Sequence, residues 1–345
     1  GGESTIHPYE GGSMEVLFSQ VPTFLLAWTT TPWTLPGNTA LAVDPDAEYS
    51  VVELSRESGV ERLVLATQLL QSNIHQEHTM IARLKGSDLV GTSYRPLYDP
   101  AEYGSEVRRF VRQESANGLT AADLEAATEL NPYVVAADFV SMEDGTGIVH
   151  IAPAFGDEDL NLGRQQGLAF VQPVDLLGNV TGNYSFAGKF VKDADEDIMA
   201  DLKDRGLLFH RDIYRHTYPF CWRCDTPLIY YAKTSWYIRT TAVKDRLLSG
   251  NEEINWYPEH IKRGRFGEWL SNNIDWAVSR ERYWGTPMPI WTCADCGEHQ
   301  CVGSLAELRE RPGVEGASEE LDLHRPFVDQ VTFACPDCCG LMRRQ

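Results

Sequence analysis

The sequence predicts an α+β protein in which short strands outnumber helices, and three observations carry that expectation. Apolar, β-branched runs recur along the first part of the chain, each closed by turn residues such as Asp44-Pro45-Asp46 or Ser58-Gly59. Only two stretches combine a helical start, an apolar face and a glycine stop. Most of the 8 cysteines fall at C-x-x-C spacing towards the C-terminal end, a pattern that pins a small module rather than filling a large core.

Residues 1–20 are glycine-rich and irregular and are expected to form an N-terminal linker. Strands are expected over Phe24–Trp28, Ala40–Val43, Ser50–Leu54, Arg62–Ala66 and Thr79–Leu84, where branched and aromatic side chains suit a pleated, half-buried surface. From Ala101 to Asn131 the apolar pattern thins, and "RQESANGLTAADLEAATEL" reads as a surface loop with one short helix. Strands resume at Tyr133–Ala136 and Ile148–Ile151, joined by the turn "MEDGTG". A first helix starts near Gly156, places Asp157, Glu158 and Asp159 where the helix dipole favours acids, and stops at Gly167. A second takes Asp193 as N-cap with Glu196 three residues on, buries Ile198 and Leu202 on one face, and ends at Gly206. Composition then turns aromatic and basic, which places a domain boundary near 205–212. The tryptophans Trp269, Trp276, Trp284 and Trp291 are expected in the core. From about 291 onward the cysteine pairs flank a polar stretch, Gly303 to Gln330.

Thirty Lys and Arg against fifty Asp and Glu give a formal charge of −20 at pH 7, which argues against broad, sequence-blind adhesion to nucleic acid. A local basic patch remains, densest at His260-Ile261-Lys262-Arg263-Gly264-Arg265 and continued by Arg280, Arg282 and Arg343-Arg344. No apolar run approaches the ~18 residues of a membrane span. The chain opens Gly1-Gly2-Glu3, with neither an initiator methionine nor a secretory pattern, so it is expected to be a piece of a longer polypeptide whose cysteines stay reduced in the cytosol.

Two segments concentrate chemistry. In "AWTTTPWTLPGNTALAV", Thr29, Thr30 and Thr31 stand side by side where an apolar strand has just ended, with Asn38 closing the turn. A strand edge with hydroxyls facing water would look the same. In "GTGIVHIAPAFGDEDL" a strand delivers His150 to a turn, and the following helix carries Asp159 in its first turn. Such a junction aims backbone N–H groups, an imidazole and a carboxylate into one crevice, a constellation suited to an ester that bears a free ammonium group.

Together, "TTTPWTLPGN" and "GTGIVHIAPAFGDED" resemble the paired signatures of the editing insertion of isoleucyl-tRNA synthetases, class I enzymes. The sister enzymes for valine and leucine carry a threonine pair followed by Arg-Pro where this chain has Thr31-Pro32-Trp33, and neither has an equivalent of His150. "CWRCDTPLIYY", "DWAVSRERYWGTPMPIW" and "CPDCCG" resemble the same family's return into its catalytic core. The resemblance implies a β-rich editing barrel over 21–205, part of an α/β Rossmann-like catalytic core over 206–290, and a zinc-knuckle module over 291–345.

The implied activity is hydrolysis of valyl-tRNA(Ile). One missing methylene in an apolar pocket is worth only ~1–3 kcal/mol, a limit for which isoleucine against valine is the standard example, so a second, hydrolytic sieve is needed. By the same resemblance, Asp159 holds the substrate α-ammonium, Thr29, Thr30 and Thr31 hold the terminal adenosine and the attacking water, and Asn38 and His150 order the ester. No activated nucleophile is evident, so direct attack by water is expected. The partners implied are the tRNA(Ile) 3′ end, its valine ester and the missing catalytic halves of the same polypeptide. ATP-Mg2+ belongs to the full-length parent, because the chain contains neither a His-x-Gly-His signature nor a Lys-Met-Ser-Lys-Ser loop.

Cys293, Cys296, Cys335 and Cys338 offer four thiolates as two knuckles, a structural Zn2+ site in which Cys339 could replace Cys338. Cys221 and Cys224 make half a metal site, which is expected to be metal-free or poorly ordered in this chain. Two other readings compete: the editing segment of a valyl- or leucyl-tRNA synthetase, and a non-catalytic zinc-ribbon module that binds tRNA.

Overall fold

The structure, a computed structural model, describes residues 14–18, 20–56, 59–111, 124–213, 217–280 and 287–345. Ser58, Arg282, Trp284 and most of the "RQESANGLTAADLEAATEL" stretch lie outside these residues, as does most of the expected N-terminal linker. The chain divides into two compact units, Gly1–Lys233 and Thr234–Gln345.

In the first unit, β1 (Thr23–Leu25), β2 (Ala40–Val43), β3 (Glu48–Arg56), β4 (Gly59–Ala66) and β5 (His78–Lys85) appear close to the expected strands. β3 pairs antiparallel with both β4 and β5, and β1 joins β4 in parallel, giving the order β1-β4-β3-β5. This sheet is buried on both faces. Tyr49, Val51 and Val64 enter one apolar cluster, while Val52, Leu54, Leu63 and Leu65 enter another. Three single-turn helices accompany it: α1 (Leu70–Asn73) between β4 and β5, then α2 (Gly86–Leu89) and α3 (Pro100–Tyr103) after β5.

Two further strands, β6 (Val107–Phe110) and β7 (Leu124–Ala127), pair with each other where a loop with a short helix is expected. β6 carries two arginines and β7 is the helix-favouring Leu-Glu-Ala-Ala, so tertiary pairing has overridden local preference. Arg108 lies over the Phe170 ring at 4.9 Å, which makes an apparently polar strand part of the core edge.

β8 (Tyr133–Ala136) and β9 (Ile148–Ile151) flank β2, in the order β8-β2-β9. Every residue of β2 is buried because the small Ala40 and Ala42 face one cluster and Leu41 and Val43 the other. α4 (Asp157–Gln166) ends at Gly167, whose φ of 65° releases the chain, and β10 (Ala169–Val171) pairs back onto β6. Strand pairing is thus divided among three open sheets, and among the described residues no ladder closes them into one barrel.

α5 (Val191–Asp204) buries Val191, Ala194, Ile198 and Leu202, a helical stripe that packs in one cluster with Trp33, Phe155 and Phe186. Its N-cap is Phe190 rather than Asp193, because burial of Val191 starts the helix earlier and leaves Asp193 exposed in the first turn. The expected boundary near 205–212 also falls inside this unit. Leu207, Leu208, Ile229, Tyr231 and Ala232 pack against the same cluster, and the Ala232 N–H donates to the Ala154 carbonyl at 2.8 Å.

The second unit begins with the two-stranded ladder of β11 (Tyr237–Ile238) and β12 (Trp276–Ala277), accompanied by α6 (Lys244–Glu253) and α7 (Arg265–Ser271). Among the described residues of 206–290 no parallel strand pair of a Rossmann-like core is present. β13 (Ile290–Cys293), β14 (His299–Cys301), α8 (Leu305–Arg309), β15 (Phe333–Ala334) and β16 (Leu341–Arg344) follow, with sheet order β14-β13-β16-β15. Its core joins Trp291, Val331, Phe333 and Met342.

Of the four tryptophans expected inside, Trp291 is buried and its indole N–H donates to the Val331 carbonyl at 2.8 Å. Trp269 and Trp276 are 64% and 58% exposed. The basic patch is likewise partly consumed: Arg344 turns inward onto Asp329, and Lys262 donates to the Glu252 carbonyl at 2.7 Å.

Candidate active site and thiolate cluster

The threonine run becomes a built loop because both of its ends are tied to β9. The Trp28 N–H donates to the Ile148 carbonyl at 3.3 Å, and the Thr39 N–H to the Ile151 carbonyl at 2.9 Å. Between these ties the chain arches over His150. A 3-10 turn, Pro32–Gly37, forms the arch; Pro32 supplies the fixed φ at its start, and the side chain of Thr31, its N-cap residue, makes no cap bond. Asp195 of α5 takes that part, accepting from the Trp33 N–H at 2.9 Å. Trp33 is buried edge-on against Phe155, with ring centroids 4.9 Å apart, and Lys192 lies over its other side.

Hydroxyls line the inside of the arch. Thr29 Oγ1 accepts from the Thr31 N–H at 3.0 Å, and Thr31 Oγ1 lies 3.3 Å from both Thr29 Oγ1 and Thr34 Oγ1. Thr34 donates to the Thr31 carbonyl at 2.8 Å and meets His150 Nε2 at 3.0 Å. On the opposite wall, the short turn between β9 and α4 brings Asp159 back so that its Oδ2 accepts from the Ala152 N–H at 2.8 Å. Gly156 leaves it room: a Cβ there would lie 3.0 Å from the Asp159 carboxyl carbon and press on it.

These walls enclose a cavity of about 200 Å³ lined by Thr29, Thr30, Thr31, Thr34, His150 and Asp159, with Trp28 and Phe155 as apolar sides. Five of the six expected site residues therefore share one small space. Asn38 does not line it; its amide stands behind the imidazole, 2.8 Å from His150 Nδ1. Thr34, Tyr94 and Asp195 were not singled out by sequence. Thr34 lies inside the quoted threonine segment, whereas nothing local distinguishes Tyr94 or Asp195.

Burial sets the electrostatics. It holds His150 neutral by lowering its pKa to about 4. Burial raises the Asp159 carboxyl above its ordinary range, partly offset by the Ala152 N–H. Asp195 is pushed up to about 6 by desolvation, against the pull of the Trp33 N–H and the Lys192 charge. A cavity with one carboxylate, three adjacent hydroxyls and a neutral imidazole can grip an ammonium group and order water. No serine or cysteine lines it.

In the second unit, the Sγ atoms of Cys293, Cys296, Cys335 and Cys338 all lie within 4.8 Å of one another. Individual separations are 3.4 Å for Cys293–Cys338, 3.7 Å for Cys296–Cys335 and 3.3 Å for Cys296–Cys338. A tetrahedral ion with ~2.3 Å metal–sulfur bonds needs sulfurs ~3.8 Å apart, so the donor set fits with small adjustments. The fourth position falls to Cys338, while Cys339 takes a positive φ of 62° and stays exposed. Cys221 and Cys224 form a closed turn, the Cys221 N–H donating to the Thr226 carbonyl at 2.8 Å, but among the described residues they join no group of three or more ligands.

The sequence profile of class I tRNA synthetases (I, L, M and V) matches residues 27–337, which is most of the chain. The chain belongs to that family. Within it, the chain is 54% identical over 326 residues to an isoleucine–tRNA ligase of Dehalococcoides mccartyi strain CBDB1, covering 94% of this chain and 31% of that protein. The isoleucine–tRNA ligases of Streptomyces avermitilis and Thermus thermophilus are 48% and 45% identical over 92% and 93% of this chain, each covered over 28% of its length. The chain thus spans about a third of the curated relatives it matches. Among solved structures, GlLeuRS-CP1 overlaps 58% of this chain and 89% of its own at 18% identity and a TM-score of 0.41.

Proposed function

We propose that this chain is the segment of an isoleucine–tRNA ligase that hydrolyses valine from mischarged tRNA(Ile). The observation that carries the reading is the convergence of Thr29, Thr30, Thr31, His150 and Asp159 on one cavity. Asp159, its orientation fixed by the Ala152 N–H, pairs with the α-ammonium of the valyl ester; a charge-assisted bond in a half-dry pocket gives both affinity and register. The threonine hydroxyls hold the terminal ribose and a water. That water attacks the ester carbonyl, the carbon–oxygen bond to the ribose breaks, the ribose oxygen takes a proton, and valine leaves with an intact tRNA. His150 is neutral and both of its ring nitrogens are engaged, so it orders the hydroxyls rather than serving as the base. Rate comes from positioning.

The four thiolates suit Zn2+, which holds the small module together and takes no part in hydrolysis. ATP-Mg2+ chemistry and the remaining tRNA contacts belong to the parent enzyme, which we place in the cytosol. Among the described residues no helix is long and apolar enough to cross a membrane. A chain of charge −20 binds tRNA through local contacts only, so its affinity alone is weak and falls steeply with salt.

The test is single-turnover deacylation by the 345-residue chain. Valyl-tRNA(Ile) is expected to be hydrolysed at least about a hundredfold faster than isoleucyl-tRNA(Ile), as a steric sieve requires. Preferential hydrolysis of threonyl-tRNA(Val) would assign the segment to a valine enzyme. tRNA binding without ester hydrolysis would leave only an RNA-binding module.

A further inference from the structure

Behind the cavity runs a file of hydrogen bonds whose direction is fixed by its end groups. One amide atom of Asn38 faces the Ala40 carbonyl at 2.9 Å; a carbonyl can only accept, so that atom is the nitrogen. The other is then Oδ1, and the Tyr94 hydroxyl, 2.6 Å away, must donate to it. Asn38 Nδ2 also donates to His150 Nδ1 at 2.8 Å, so Nδ1 holds a lone pair and the imidazole hydrogen sits on Nε2. Nε2–H donates to Thr34 Oγ1, whose own hydrogen goes to the Thr31 carbonyl. Thr34 Oγ1 can therefore only accept in its 3.3 Å contact with Thr31 Oγ1. Thr29 Oγ1, also 3.3 Å away, is a second acceptor in the wall, and with its hydrogen given to either one Thr31 offers lone pairs to the cavity.

We propose that Tyr94 is a positioning residue of this site: its hydroxyl, acting through Asn38, holds His150 as the Nε2–H tautomer and so presents Thr31 to the cavity as an acceptor for a water or ribose hydrogen. The tautomer stands on geometry alone; its effect on rate rests on the hydrolytic reading above. Burial pushes the Tyr94 phenol well above its ordinary pKa, so it remains a donor at working pH. Without that hydroxyl, Asn38 Oδ1 loses its partner and the amide is held through Nδ2 alone, by the Ala40 carbonyl and, at 3.5 Å, the Ile151 carbonyl, so a turned amide that offers Oδ1 to the imidazole gains population.

Two-bond 1H–15N correlation spectra of the full chain, with the His150 signals assigned through His150→Gln, report the tautomer directly. The wild type is expected to show Nε2–H. Tyr94→Phe, which keeps the ring and its packing, is expected to show an added Nδ1–H population, and Asn38→Asp, which replaces the donor with an acceptor, to place a proton on Nδ1. For valyl-tRNA(Ile) hydrolysis, Tyr94→Phe should lower kcat about tenfold and leave KM within about twofold, the size of one lost hydrogen bond. An Nδ1–H tautomer in the wild type, or an unchanged tautomer in Tyr94→Phe, overturns the proposal. If no form of the chain hydrolyses the ester, the hydrolytic reading fails while the spectra still decide the role of Tyr94.

Discussion

In the second unit, four sulfurs reach one point from two C-x-x-C turns, each of which brings two ligands together within a few residues of chain. In the first unit, Thr34 and His150 meet across 116 positions, and Trp33 meets Asp195 across 162. The thiolate cluster thus needs little beyond two turns and a metal. The cavity needs the threonine loop, β9, the start of α4 and Asp195 of α5 in place before a single hydroxyl is correctly aimed. The two regions should accordingly break in different ways, one through its ligand and the other through its buried polar contacts.

Metal removal is the largest expected effect. Chelation of the metal-loaded chain should unfold residues 287–345, since structural zinc contributes on the order of 10 kcal/mol in small sites, while valyl-tRNA(Ile) hydrolysis persists. Hydrogen exchange by mass spectrometry, read separately for each unit, checks both halves of that statement. Equal loss of protection in the two units would erase the distinction drawn here.

Asp159→Ala should lower hydrolysis of valyl-tRNA(Ile) about a thousandfold or more, as expected when one partner of a desolvated ion pair is removed, with the thiolate unit unchanged in metal content. Near-wild-type rates would remove Asp159 from the mechanism.

Acid separates the buried groups by sign. His150 has a folded pKa of about 4 against 6.5 when unfolded, so the unfolded chain binds the proton first. The stability it contributes is complete above pH 6.5 and is lost between 6.5 and 4, in total roughly 3 kcal/mol. Asp195, raised to about 6, acts oppositely: the native state takes up its proton first, and stability gains as pH falls through 6. The two contributions nearly offset each other between pH 6 and 4, so urea titrations from pH 7 to 4 should show a shallow profile in the wild type that becomes a rise towards acid in His150→Gln.

Gly156→Ala is the mildest change. The added methyl group presses on the Asp159 carboxyl group and should reduce hydrolysis about tenfold without unfolding the unit, because a small misplacement of a positioning group is enough to slow the reaction.

Legibility in the sequence followed the same division. The cysteine spacing located the four clustered thiols, leaving only Cys338 against Cys339 to geometry, because a C-x-x-C turn is local chemistry. β2, β8 and β9 were readable residue for residue, and so were the two glycine stops of α4 and α5. β6 and β7 were not, since their pairing partners rather than their own residues make them strands. Thr29, Thr30, Thr31, His150 and Asp159 could be named from two segments, yet Tyr94 and Asp195 carry no local mark. They matter through the atoms they meet, Asn38 Oδ1 and the Trp33 N–H.

The central claim is that the threonine loop and the start of α4 act on one ester. A double-mutant cycle between Thr30→Val and Asp159→Asn, read on kcat/KM for valyl-tRNA(Ile), tests it most directly. Groups that grip the same substrate in one cavity should couple by about 1 kcal/mol or more. Strictly additive losses, with coupling indistinguishable from zero, would mean that the two segments serve separate places.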